Sequence, residues 1–352
     1  MTQLFHYRNA FRLESGETLP GFHLAYTTHG QLNAARNNVV WIFHALTANS
    51  DPQEWWPGLV GKNKVIDPAQ YFIICVNKPG SPYGSISPLS TDPQTGTPYG
   101  FRFPVFTIRD MVHTYQLLRE ALDIQEIVLG IGGSTGGMQL LEWAIEEPGL
   151  FRHIVPIATN AVLSPWGIAF NASQRMAIEA DSTWRDTTAE AGQKGMAVAR
   201  SIALLSYRHY RGYGITQGRD KAFVPLQENT QYAADNYQRY QGLKLVNRFD
   251  ARCYYRLTQS MDSHDTGRGR GSIATALQQI KARTLVIGIT SDLLYPVEEQ
   301  EFLQATIPGA SLLRIASNYG HDGFLLENET IEKALKEFIQ QPQASYLKIV
   351  NS

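Results

Sequence analysis

Six short apolar runs punctuate the chain, each nearly continuous rather than alternating: NVVWIFHA at 38–45, QYFIICV at 70–76, EIVLGI at 126–131, HIVPIA at 153–158, RTLVIGI at 283–289 and SLLRI at 311–315. A strand buried on only one face alternates apolar and polar positions, so unbroken runs predict strands covered on both faces, as in a parallel sheet. Between some of them the period lengthens. Met111, Tyr115, Leu118 and Leu122 recur at spacings of four, three and four and predict an amphipathic helix over 107–122, with a second over 135–147. Strands alternating with helices imply βαβ units and a three-layer α/β architecture around a mostly parallel central sheet. The opening stretches LFHYRNAFRL and PGFHLAYTTHG predict an antiparallel start.

The rhythm breaks after PIATNA. From about Ala161 to Gly271 the chain carries helical patterns, polar loops, aromatics and arginines, with no buried-strand pattern until Thr284. The expected organisation is a core of residues 1–160 and 276–352, with residues 161–275 as a helical insertion lying over the carboxyl ends of the strands as a lid. The chain has 352 residues, 43% hydrophobic and 18% charged, with net charge −1. That balance supports a large core and supplies no global field for nucleic acid or an anionic membrane, so small-molecule partners are expected. The amino-terminal residues lack a signal-peptide pattern and no apolar run is long enough to span a bilayer, which predicts a cytoplasmic protein. The two cysteines, Cys75 and Cys253, lie far apart with no ligand neighbours, so buried thiols are expected rather than a disulfide framework or a metal site.

Candidate chemistry centres on IVLGIGGSTGGMQLLEW, residues 127–143. Gly132, Ser134 and Gly136 fit G-x-S-x-G, a strand–turn–helix that holds a serine in a strained, exposed conformation. Glycine-rich turns of this kind also cradle phosphates, so the motif alone leaves two readings. A serine hydroxyl becomes a nucleophile only beside a base that an acid orients, and in this arrangement the order is Ser, then Asp or Glu, then His. Asp292 follows the strand RTLVIGI and His321 follows SLLRI, both at strand ends and in that order. Singly, Asp292 could cap a helix and His321 could be a surface residue; together they favour the nucleophile. His44 falls at an early strand end, where a structural role is expected, and His113, His153 and His264 lack an accompanying acid at a strand end and are expected to be scaffold.

The segments GGSTGGMQLLEWA, TPYGFRFPVFTIRDMV and GHDGFLLE, with FHALTANS, RLTQSMDSHD and GITSDLLYPVEEQ, resemble the homoserine O-acetyltransferase family, acyltransferases with the α/β-hydrolase fold. The resemblance covers nearly the whole chain. It implies that Ser134 is acetylated by acetyl-CoA and that Asp292 and His321 complete a catalytic triad. It also implies an oxyanion hole of the Leu46 and Thr135 N–H groups, and an acceptor amino acid engaged by Arg208 and Asp322. It further implies ping-pong kinetics, an acyl-CoA co-substrate with no permanently bound cofactor, and a homodimer. The sequence departs from the family where Thr135 replaces the usual methionine, where Ala48 replaces glycine, and in NKPGSPYGS, in which Lys78, Pro79, Ser81 and Pro82 are changed. Succinyl-CoA as donor, serine as acceptor, and hydrolysis of carboxylic esters therefore stay open. The basic residues Arg248, Arg252, Arg256, Arg268 and Arg270 alternate with aspartates, a pattern expected of a solvated or salt-bridged face.

Overall fold

The computed structural model describes residues 2–219 and 232–340. Eight strands form the main sheet: β1 (Thr2–Tyr7), β2 (Phe22–His29), β3 (Val39–Phe43), β4 (Phe72–Val76), β5 (Ile127–Gly133), β6 (Phe151–Ile157), β7 (Arg283–Ile289) and β8 (Ser311–Ile315). Their spatial order is β1-β2-β4-β3-β5-β6-β7-β8. The first two strands run antiparallel to each other and β2 is antiparallel to β4, whereas β3 to β8 are mutually parallel. A two-stranded ribbon, Phe11–Arg12 with Thr18–Leu19, interrupts the opening hairpin. The α/β-hydrolase architecture expected from the sequence is the one adopted.

The continuous apolar runs have the cause inferred for them. Within β3, Val39, Trp41 and Phe43 enter one core while Val40 and Ile42 enter another across the sheet. Helices α1 (Ile108–Ala121) and α2 (Thr135–Glu146) cover the first face, burying Met111, Tyr115, Leu118, Leu140 and Trp143. The carboxy-terminal helix of the described residues, Asn328–Gln340, covers the second with Ile331, Leu335 and Phe338. Thr107 begins α1 in a reciprocal capping box with Asp110, which satisfies two amide donors that a helix start leaves open. Between β6 and β7 lie helices α3 (Pro165–Glu179), α4 (Gln193–Tyr207), α5 (Tyr210–Thr216), α6 (Ala233–Val246) and α7 (Ala251–Asp262), and no strand among the described residues. The boundary expected at 275/276 falls inside a short helix, Ile273–Leu277, which packs against the core through Ala276 and Leu277.

The turn from β5 into α2 places Ser134 at φ 57 and ψ −125, a left-handed conformation that L-residues rarely adopt. Its amide donates to the Ile157 carbonyl at 2.9 Å and its carbonyl accepts from the Thr159 hydroxyl at 2.9 Å, so the bend is held from β6. A Cβ on Gly136 would lie 2.1 Å from the Phe43 carbonyl oxygen, and one on Gly132 would lie 2.6 Å from the Gly136 carbonyl carbon. Glycine is required at both places because backbone, not a movable side chain, fills the space. Gly136→Ala should therefore lower stability by more than about 2 kcal/mol, checked by urea unfolding against the wild type. Gly149→Ala, at a position with open space around it, should stay within about 1 kcal/mol.

Candidate active site

Asp292 follows β7 and turns back on itself. Its Oδ1 accepts the amides of Leu294 at 2.8 Å and Tyr295 at 3.0 Å, which fixes the carboxylate and leaves Oδ2 for the His321 Nδ1 at 2.6 Å. That bond assigns the proton to Nδ1 and leaves Nε2 with a lone pair. The His321 ring is clamped by aromatic faces and edges, with Tyr207, Tyr295 and Phe324 centroids at 5.5, 5.2 and 5.4 Å. Burial works against the imidazolium, but the Asp292 charge and hydrogen bond, with help from Asp322, outweigh it and raise the His321 pKa above its ordinary value.

Ser134 and His321 line one cavity of ≈ 550 Å³, together with Leu46, Asp322 and Tyr83. Thr135 is buried at the start of α2 and Asp292 is buried behind His321, so neither lines that cavity. The Leu46 and Thr135 amides donate to no backbone carbonyl among the described residues. Two such donors at a strand end beside a helix N-terminus can receive a developing negative charge. Arg208 sits one layer back. It ion-pairs with Asp322 and donates to the Tyr237 hydroxyl from Nε at 3.2 Å and Nη2 at 3.1 Å, lining an adjacent cavity of ≈ 320 Å³.

The four other histidines weighed from the sequence are held elsewhere. The Lys78 amide, from the loop after β4, donates to His44 Nε2 at 3.2 Å, so the proton sits on Nδ1, 2.8 Å from the Ala45 carbonyl; both nitrogens are engaged by backbone. His113 pairs with Glu146, His153 with the Val128 carbonyl and His264 with the Asn160 carbonyl. Cys75 and Cys253 are buried free thiols. Among the described residues no group of three His, Cys, Asp or Glu side chains could hold a metal, and no helix is long and apolar enough to cross a membrane.

Three cavity-lining cations were not assigned from the sequence. Arg200, Lys244 and Arg248 line its wall from α4, α6 and the segment after it, with Arg248 donating to the Thr47 carbonyl and to the Tyr83 hydroxyl at 2.6 Å. The interleaved aspartates concealed Arg248, since most of its neighbours do form ion pairs: Arg252 with Asp250, Arg268 with Glu14, and Arg270 with Glu142 and Glu146, while Arg256 donates to the Gln259 side chain and the Phe101 carbonyl. Helical spacing could have placed Lys244 with Arg248, four residues apart, but not Arg200.

A family model for the alpha/beta hydrolase fold matches residues 38–328. The homoserine O-acetyltransferase of Cyclobacterium marinum is 46% identical over 339 residues, covering 96% of this chain and 95% of that protein. Among solved structures, homoserine O-acetyltransferase from Bacillus anthracis superposes with a TM-score of 0.89 at 24% identity, covering 97% of this chain and 98% of that one. Esterase E22 superposes with a TM-score of 0.86, also at 24% identity, covering 97% and 100%. At that identity the two structures establish the shared fold.

The charge environment of His321 is testable without a substrate. Asp322→Asn removes one of the anions that favour the imidazolium, so the ring should titrate at lower pH in the variant than in the wild type, whose midpoint should lie above the ordinary 6.5. A ¹H–¹³C NMR titration of the ring reads both midpoints; an upward shift in the variant would contradict the assignment.

Proposed function

The chain belongs to the homoserine O-acetyltransferase family, within the α/β-hydrolase fold, and from that premise we propose that it transfers an acetyl group from acetyl-CoA to the hydroxyl of L-homoserine. The observation that carries this reading is the Arg208–Asp322 ion pair beside His321. A neutral ester gains nothing from a carboxylate on the wall of the Ser134 cavity paired with a guanidinium behind it. An amino acid gains two partners: Arg208 engages its α-carboxylate and Asp322 its α-ammonium as the zwitterion enters between them. The exchange conserves charge pairing, so opening the resting pair is offset by two new contacts.

In the first half-reaction His321 Nε2 takes the Ser134 proton as the hydroxyl oxygen attacks the thioester carbonyl. The tetrahedral oxyanion receives the Leu46 and Thr135 N–H groups. Its collapse breaks the carbon–sulfur bond, and His321 returns the proton to the CoA thiolate. In the second half-reaction His321 deprotonates the homoserine hydroxyl, which attacks acetyl-Ser134; collapse releases O-acetylhomoserine and restores the serine. Asp292 holds the ring in the tautomer both halves require. Residues 161–275, of which 220–231 lie outside the described residues, act as the lid, and Arg200, Lys244 and Arg248 on the cavity wall suit the phosphates of CoA.

The decisive measurement is thiol release across a matrix of acetyl-CoA and succinyl-CoA against homoserine, serine and water. Acetyl-CoA with homoserine should give the highest kcat/KM; release equally fast without an amino acid would make the protein an ester or thioester hydrolase. Ser134→Ala should lower kcat at least about 10³-fold and abolish acetyl-enzyme formation. Arg208→Leu should raise the KM for homoserine by at least about tenfold while leaving the rate of Ser134 acylation within about threefold, since a charge-assisted hydrogen bond contributes roughly 1.5–3 kcal/mol. Steady-state kinetics and intact-mass spectrometry check both variants.

A further inference from the structure

Lys78 is a buried lysine with no anion beside it among the described residues. The residue is 2% exposed, and it lies just beyond the end of β4, in the loop that departs from the family pattern. The Nζ donates to the His44 carbonyl at 2.9 Å and to the Thr135 hydroxyl at 2.9 Å, both neutral acceptors. Among the described residues no carboxylate pairs with it, and the titratable groups that interact with it are His44 and Cys75. Burial pushes its pKa down to about 7, which expresses how poorly the resting protein solvates the charge. In the sheet order β4-β3-β5, this one side chain reaches from the end of β4, past β3, to the residue that follows Ser134. Thr135, its acceptor, is itself a departure from the family's methionine. The two altered residues form one contact.

We propose that Lys78 is a positioning residue for acyl transfer: its ammonium ties the His44–Leu46 loop to Thr135, setting the two oxyanion-hole amides, and supplies a buried positive charge matched by the tetrahedral oxyanion. The inference rests on the acyl-serine chemistry proposed for Ser134. A cation left unpaired in the resting state and partnered only when negative charge develops favours the transition state over the ground state. Its loss should therefore appear in rate constants rather than in binding. Exchanging this buried amine for a methionine gives up two hydrogen bonds to neutral acceptors but also removes the cost of burying an ammonium with no counter-charge, so the variant should remain folded.

The experiment is stopped-flow acylation of Ser134 by p-nitrophenyl acetate, with rates read per burst amplitude so that only folded sites count, beside the steady-state acetyl-CoA and homoserine assay. Lys78→Met should melt at or above the wild-type temperature. Its burst rate constant and kcat should fall about ten- to a hundredfold, less than the ~10²–10³ seen when a direct oxyanion donor is removed, with both KM values within about threefold. Lys78→Arg, which keeps the charge, should recover part of the loss. Thr135→Val should slow the burst about three- to tenfold, and the double variant should be no slower than Lys78→Met, because the two act through one contact. A wild-type burst rate in Lys78→Met, or losses that multiply in the double variant, overturns the proposal. Should Lys78→Met yield no folded protein, Thr135→Val decides, and an unchanged burst rate in it overturns the proposal. Thiol release by the wild type that ignores homoserine would sink the transferase reading yet leave this test intact, since the burst reports only acylation of Ser134.

Discussion

The contact between Gly136 and the Phe43 carbonyl is the constraint from which the site follows. It brings the first turn of α2 against the end of β3, and the distance it enforces leaves no room for a Cβ. Ser134 must then take its left-handed backbone, held by bonds to Ile157 and Thr159. Because β3 ends at the same point, the loop after it is delivered close to Thr135, with the His44 carbonyl and the Thr135 hydroxyl both meeting the Lys78 Nζ at 2.9 Å. The strain of one residue, about 1–3 kcal/mol for such a conformation, is sustained by two packed cores that fix the strands on either side.

Everything apolar about the chain serves that bend, while the polar chemistry collects at one edge of the sheet. Asp292 after β7, His321 after β8, His44 after β3, Lys78 after β4 and Ser134 after β5 all lie at carboxyl ends of parallel strands. Strands there stop together and their loops share one surface, so residues 187 positions apart in the chain, such as Ser134 and His321, line one cavity. The aromatic enclosure of His321 removes water from around the imidazole and makes the Asp292 contact count for more.

The strands were legible because burial on both faces leaves an unbroken apolar run, and the serine turn was legible because steric exclusion leaves glycines at fixed spacing. Asp292 and His321 could be read from chain order and element ends. Arg208 and Asp322 came only through the resemblance, since nothing in their spacing reveals that a residue ending α4 meets one 114 positions later. The Lys78–Thr135 contact was not legible at all. Each residue could be noticed as a departure, but their meeting depends on the crossed order of β4, β3 and β5, which no local pattern encodes. Arg248 was hidden for a different reason: its near neighbours in sequence form ion pairs, and its own side chain turns instead to Thr47 and Tyr83.

Two opposite electrostatic arrangements meet at the proposed reacting centre. On the proposed acceptor side, Arg208 and Asp322 neutralise each other, so the resting protein bears little cost, and the zwitterion of the proposed reaction would enter by exchanging partners. Such an arrangement selects what binds, because a molecule with only one of the two charges would leave the other buried and unpaired. On the proposed oxyanion side, Lys78 has no counter-charge and only two neutral acceptors, so burial pushes its pKa down and the resting protein holds the ammonium poorly. That arrangement does nothing for binding a neutral thioester and acts only as its carbonyl oxygen becomes negative. In the proposed reaction, selectivity and rate are thereby assigned to separate charged groups, Arg208 with Asp322 and Lys78, and a change to one need not disturb the other.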